Sequence, residues 1–146
     1  DNKHMSIRQI NSMLNKDSGL LGISELSNDC RTLEEHAALG HDGAILALNM
    51  FAYRLAKYIA SMTVATGRLD ALVFTGGIGE NSASMRKRVM QHLGFLGVHV
   101  DDTLNQTMVG GQAGSINLAT DTVASLVIPT NEELMIAKDT YALTIK

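Results

Sequence analysis

Apolar positions in the middle of the chain recur three and four residues apart. Ile45, Leu48, Ala52, Leu55, Ile59 and Met62 make one stripe, and Ala44, Ala47, Ala56 and Ala60 widen it. This pattern predicts a long, mostly buried helix that starts near Asp42 and closes at Gly67 as a left-handed cap. Leu69 to Thr75 and Val123 to Ile128 are shorter apolar runs bounded by turn residues, and both predict buried strands. Val98 to Val100 predicts a third, short strand. Between the first two strands, Met85, Val89 and Leu93 repeat every four residues, which predicts a helix from Ala83 to Leu93, stopped by Gly94.

Capping signals punctuate the rest. Ser6-Ile7-Arg8-Gln9 reads as a capping box opening a helix to about Asn15. Thr32-Leu33-Glu34-Glu35 repeats that pattern and predicts a short helix. Gly19 to Ile23 reads as a tight apolar connection, and Asp101 to Asn117 as mostly loop. After Pro129, Thr130-Asn131-Glu132-Glu133 predicts the start of a last helix ending near Leu143, with Glu133 at its third position.

The order strand, helix, strand, strand, helix argues for an α/β layer with partly parallel pairing. Three strands fall short of the usual ~5–6. The expectation is therefore a piece of a longer protein whose other strands precede Asp1. On this reading Asp1 to Met5 are an expression scar or frayed terminus, and residues 6–146 are the functional segment.

Composition narrows the classes. The chain has 146 residues, 45% hydrophobic and 18% charged, which fits one ordinary globular domain. Net charge is −3, and the only basic cluster is Arg86-Lys87-Arg88, so no nucleic-acid surface is expected. A single cysteine, Cys30, excludes an internal disulfide and suits a reducing, cytoplasmic setting. No apolar run approaches the ~20 residues needed to span a bilayer.

Three segments carry candidate chemistry. In Phe74-Thr75-Gly76-Gly77-Ile78-Gly79-Glu80-Asn81-Ser82 a buried strand runs through three glycines into a helix start. Glycine permits close backbone approach, and unpaired amides at a helix start favour anions. The segment either receives a nucleotide's phosphates or sugar or is a tight turn without ligand. It lacks the third glycine of a dinucleotide fingerprint, and no Walker A Gly-Lys-Ser/Thr occurs in the chain. Glu132, one residue short of the capping position, either complements the helix dipole or contacts a metal. In Ser27-Asn28-Asp29-Cys30-Arg31, Asp29 and Arg31 either contact a nucleotide or form a surface pair. Cys30 either has its thiol pKa lowered by Arg31 or is a small buried hydrophobe.

Taken in order, these segments, together with Ser18-Gly19-Leu20-Leu21-Gly22 and Ile128 to Leu134, resemble the acetate kinase family. The resemblance implies that residues 6–146 are the C-terminal part of the nucleotide-binding domain of such an enzyme, part of a ribonuclease H-like domain of the actin, Hsp70 and sugar kinase superfamily, with helices on a short mixed sheet. It further implies reversible phosphoryl transfer between ATP and acetate with magnesium, in a homodimer. Propionate kinase and a non-catalytic adenine-nucleotide module are the alternatives. Asp29, Cys30 and Arg31 match the family's segment beside adenine and ribose, with Cys30 standing where the family often has an aromatic. Gly77, Ile78, Gly79, Glu80 and Asn81 match its second nucleotide segment, Glu132 its magnesium-side glutamate, and Arg86 a basic position. The family's catalytic arginine, histidine and aspartate have no counterpart here, so no catalytic residue is assigned to this chain.

Overall fold

The computed structural model describes residues 5–144, and the expectation for Asp1 to His4 lies outside them. Helix α1 (Ile7–Ser12) opens on the expected capping box, with the Ser6 amide donating to Gln9 Oε1 at 2.8 Å, and runs on as a π-helical turn, Met13–Asp17. Gly19–Ser24 forms a helix, α2, where a tight connection was expected. Helix α3 (Cys30–Ala38) begins two residues before Thr32, because Asp29 already caps it through the Arg31 amide at 3.0 Å. Thr32 is thereby drawn inside the helix.

Helix α4 (Asp42–Thr66) is the long element the periodicity predicts, and Gly67 closes it at φ +73°. It is not mostly buried, however. Ala44, Ala47, Leu48, Ala52 and Ala56 are buried, while Leu46, Met50, Tyr53, Tyr58 and Met62 are exposed. The buried line packs against α2, α3 and α6 (Ala83–Met90). Neighbours among the described residues cover only that side.

Strand β1 (Ala71–Phe74) leads into α5 (Gly76–Asn81), and Ser82 then caps α6 with its hydroxyl on the Met85 amide at 2.9 Å. A 3₁₀ turn, Gly94–Leu96, follows. The strand expected at Val98 to Val100 reduces to one antiparallel bridge, Val100 with Asn117. The expected loop contains α7 (Asp102–Thr107), capped by Asp101, and the two-residue β2 (Gly114–Ser115). Strand β3 (Ala124–Val127) lies in the middle of a mixed sheet of order β1-β3-β2, parallel to β1 and antiparallel to β2. The last helix, α8 (Glu132–Thr144), buries none of its residues against the described chain.

Register sets the two faces of the sheet. Leu72 pairs with Ser125 and Phe74 with Val127, and this face turns toward the core of Leu33, Leu48, Met85, Val89 and Met90. Successive strand residues point oppositely, so Val73 is 46% exposed on the other face. The architecture is the short mixed sheet with packed helices that the family resemblance implies, its third strand supplied by Gly114–Ser115 and not by Val98 to Val100.

Leu48 is fully buried and Met62 is 58% exposed on the same helix. Leu48→Ala should cost about 2–5 kcal/mol in urea unfolding, and Met62→Ala should stay within about 0.5 kcal/mol.

Candidate functional site

Parallel pairing places the carboxyl ends of β1 and β3 side by side, the usual ligand-binding edge of such sheets. Three glycines follow β1, and their surroundings differ. Gly76 has φ +71°, a region side chains strongly disfavour. Gly79 passes so close to β1 that an added Cβ would stand 3.2 Å from the Phe74 carbonyl carbon. Gly77 has neither constraint: its φ is ordinary and a Cβ there would meet nothing within 4 Å. The protein's own packing does not require glycine at 77, and the open space lies over the first turn of α5.

Glu80 joins this turn to the far end of β3. Its Oε1 accepts from the Gly76 amide, the Thr130 amide and the Thr130 hydroxyl, each at 2.8 Å. The Thr130 amide and hydroxyl, then the Gly76 amide, hold its carboxyl below the usual carboxylate range. The Asn81 amide group is also engaged within the chain, donating to the Gly77 carbonyl at 3.1 Å and accepting from the Gly110 amide at 3.2 Å.

A second bond brings in α3: the Ser82 hydroxyl donates to the Glu34 carboxylate. Cys30 lies one helical turn before Glu34, on the same face. Its thiol is pushed up, by burial first and then by the charges of Glu34 and Asp29, so the lowered thiol pKa considered for it is overturned. Asp29 is engaged as the cap of α3 and meets Arg31 through its backbone amide, so the two side chains form no surface pair. Arg31 is exposed, and its guanidinium makes no bond among the described residues.

Glu132 is exposed at the first position of α8. The cap is Asn131, whose Oδ1 accepts from the Leu134 amide at 2.9 Å, and not Thr130. Thr130 is drawn off to Glu80, which moves Glu133 to the second position. No group of three His, Cys, Asp or Glu side chains able to hold a metal occurs among the described residues. Magnesium commonly takes one or two carboxylates and fills its shell with water and phosphate oxygens, so a single exposed glutamate fits it.

Arg86 is 1% exposed and donates to the Gly79 carbonyl at 2.8 Å, so it supports the turn from within and does not face solvent. Asn105, fully buried beneath Arg86, carried no sequence signal, because it sits in a stretch too short and polar to show periodicity. A cleft of about 300 Å³ bordered by Phe51, Leu72, Ile78 and Gly79 flanks the turn. A wider groove of about 720 Å³ runs between α2 and α4, past Leu20, Met50 and Tyr58, and none of the expected site residues lines it.

Comparison with known proteins decides the lineage: residues 1–138 match the acetokinase family. The chain belongs to that family. It is 63% identical over 144 residues to acetate kinase 1 of Neisseria meningitidis, covering 99% of this chain and 36% of that protein. A crystal structure of Porphyromonas gingivalis acetate kinase superposes with a TM-score of 0.85 at 38% identity, covering 97% of this chain and 35% of the other. A Francisella tularensis propionate kinase gives 0.84 at 45% identity, covering 95% and 35%. The acetokinase relatives thus extend well beyond this segment, which spans about a third of their length. The chain is α/β and has the fold of the matching part of these ribonuclease H-like kinases. No described helix is long and apolar enough to cross a membrane.

The Glu80 contacts favour its charged form in the folded chain. Their stabilisation is therefore present above the ordinary carboxylate value of about 4.3 and is lost as pH falls through the lower folded value. Glu80→Gln should flatten the loss of stability as pH falls below the ordinary carboxylate range, measured by urea unfolding at each pH.

Proposed function

We propose that this chain is the nucleotide-wall segment of an enzyme that reversibly transfers the ATP γ-phosphoryl group to acetate, giving acetyl phosphate and ADP. The open backbone over Gly77, at the carboxyl edge of two parallel strands in an acetokinase-family chain, carries the proposal. A ligand that approaches the backbone itself accounts for a glycine that internal packing does not demand.

The residues divide into two kinds. Gly77, Ile78 and Gly79 lie in the first turn of α5, where helix geometry leaves amides without intrahelical acceptors, and these face the nucleotide. The exposed guanidinium of Arg31, which has no bond among the described residues, stands beside Cys30 at the start of α3 and supplies a cation to the same ligand. Asp29, Glu80 and Asn81 act by holding these groups in place, since their side chains are already bonded within the chain. Glu132 offers a carboxylate to magnesium, which neutralises phosphate charge when it is bound with ATP.

Phosphoryl transfer depends on positioning and on charge neutralisation around the moving group. This segment contributes the nucleotide side of both. The acyl side lies in the rest of the enzyme, and a homodimer in the cytoplasm accompanies this reading. Propionate is the second acceptor to consider, because the Francisella relative at 45% identity is a propionate kinase.

Two measurements test the proposal. In the full-length polypeptide, Gly77→Val should keep the fold, since nothing crowds that position, and weaken Mg-ADP binding at least tenfold by calorimetry, with NAD giving no heat. Wild-type affinity in a folded variant overturns the assignment. The 146-residue chain alone should form no acyl phosphate from ATP and acetate, and turnover by the pure chain would contradict the division of labour.

A further inference from the structure

The largest fully buried side chain is a cation without a counter-anion. Arg86 is 1% exposed, and no carboxylate pairs with it among the described residues. Burying a charge in this way is costly unless every polar atom is satisfied. All five of its N–H groups are. Nε donates to Asn105 Oδ1 at 2.8 Å. Nη1 donates to the carbonyls of Gly79 at 2.8 Å and Glu80 at 3.1 Å. Nη2 donates to the carbonyls of Asn105 at 2.7 Å and Met108 at 2.8 Å. Asn105, itself fully buried, closes the network by donating from Nδ2 to the Ala83 carbonyl at 2.8 Å.

These carbonyls have a common character. Gly79 and Glu80 belong to the last turn of α5, and Asn105 and Met108 lie at the end of α7, where helices leave acceptors unpaired and carry partial negative charge. The guanidinium is the counter-charge to two helix ends at once. It also has no N–H left for a phosphate, so it is not a direct ligand contact. Helix α5 needs such support, because it has six residues, three of them glycine, and glycine is a poor helix former.

We infer that Arg86 and Asn105 are positioning residues for the nucleotide: by holding the carbonyl end of α5 they fix where the amides of Gly77 to Gly79 point. The inference rests on the nucleotide site proposed above. The clamp works with two other bonds. Glu80 Oε1 secures the Gly76 amide at the opposite end of α5. Asn81 Oδ1 receives the Gly110 amide, so the segment after α7 is tied to the same turn. A lysine at 86 would keep the charge but lose the planar fork that reaches five acceptors.

The test is steady-state kinetics on the full-length polypeptide carrying Arg86→Lys or Asn105→Ala, with Gly77→Val alongside. A residue that only stabilises the fold lowers the active fraction, and so kcat, without moving either KM. A positioning residue raises KM for ATP selectively. Arg86→Lys should raise KM for ATP tenfold or more and KM for acetate less than twofold. Asn105→Ala, which removes one acceptor and leaves the arginine, should do the same in smaller measure. It also supplies the readout if the lysine variant fails to fold. Unchanged KM for ATP in a folded Arg86→Lys or Asn105→Ala protein overturns the inference. If Gly77→Val raises KM for ATP and these two do not, only the clamp is lost. If Gly77→Val also leaves it unchanged, the nucleotide site itself is wrong.

Discussion

The arrangement depends on the parallel pairing of β1 with β3. Because Phe74 lies opposite Val127, both strands end at the same edge of the sheet, and the segments that follow them start side by side. Glu80 reaches Thr130 across a separation of 50 residues only because of this register. The same pairing turns Leu72, Phe74 and Val127 onto one face, where the buried line of α4 and the apolar side of α6 cover them. Shifting the register by one residue would invert both faces and carry Thr130 away from Glu80. Burial on one face and polar bonding at one edge therefore select the same alignment.

At that edge, short and weak elements are held by side chains. Helix α5 is too short and too rich in glycine to persist on its own propensity. A carboxylate secures its amide end and a guanidinium its carbonyl end, so the helix dipole meets an opposite charge at each terminus. The bond between Ser82 and Glu34 then attaches α3 to the next helix start. Segments near residues 30, 80 and 130 become one surface through two carboxylates, Glu34 and Glu80. Glycine leaves the backbone over residue 77 accessible, while rigidity comes from side chains bonded on the other sides of the turn.

The outer surfaces follow another logic. Val73 on the far face of the sheet, Met50 and Tyr58 on α4, and Ile136 and Tyr141 on α8 are all exposed. The chain spans about a third of its curated relatives. Burial within this segment is therefore the packing of one side of each element, and the core is thinner than the apolar composition suggests.

The sequence by itself determined the elements that repeat often enough to be read. Helices α4 and α6 show as periodic apolar stripes, β1 and β3 as short apolar runs between turn residues and Gly67 as the cap of α4, and the family resemblance rests on four short segments taken in order. Tertiary structure alone decided the rest. Helices α2, α5 and α7 have six residues each, less than two turns, too few for a period to emerge. Caps moved where a better-placed oxygen competed: Asp29 displaced Thr32, and Asn131 replaced Thr130 once Glu80 had engaged it. The apolar stripe of α4 marks which side can be buried but not whether a neighbour is present to bury it. In the sequence Arg86 belongs to the basic run Arg86-Lys87-Arg88, yet in the fold it is buried with all five of its N–H groups bonded. Local sequence carries the charge of an arginine, and only the meeting of two helix ends supplies the carbonyls that make its burial possible.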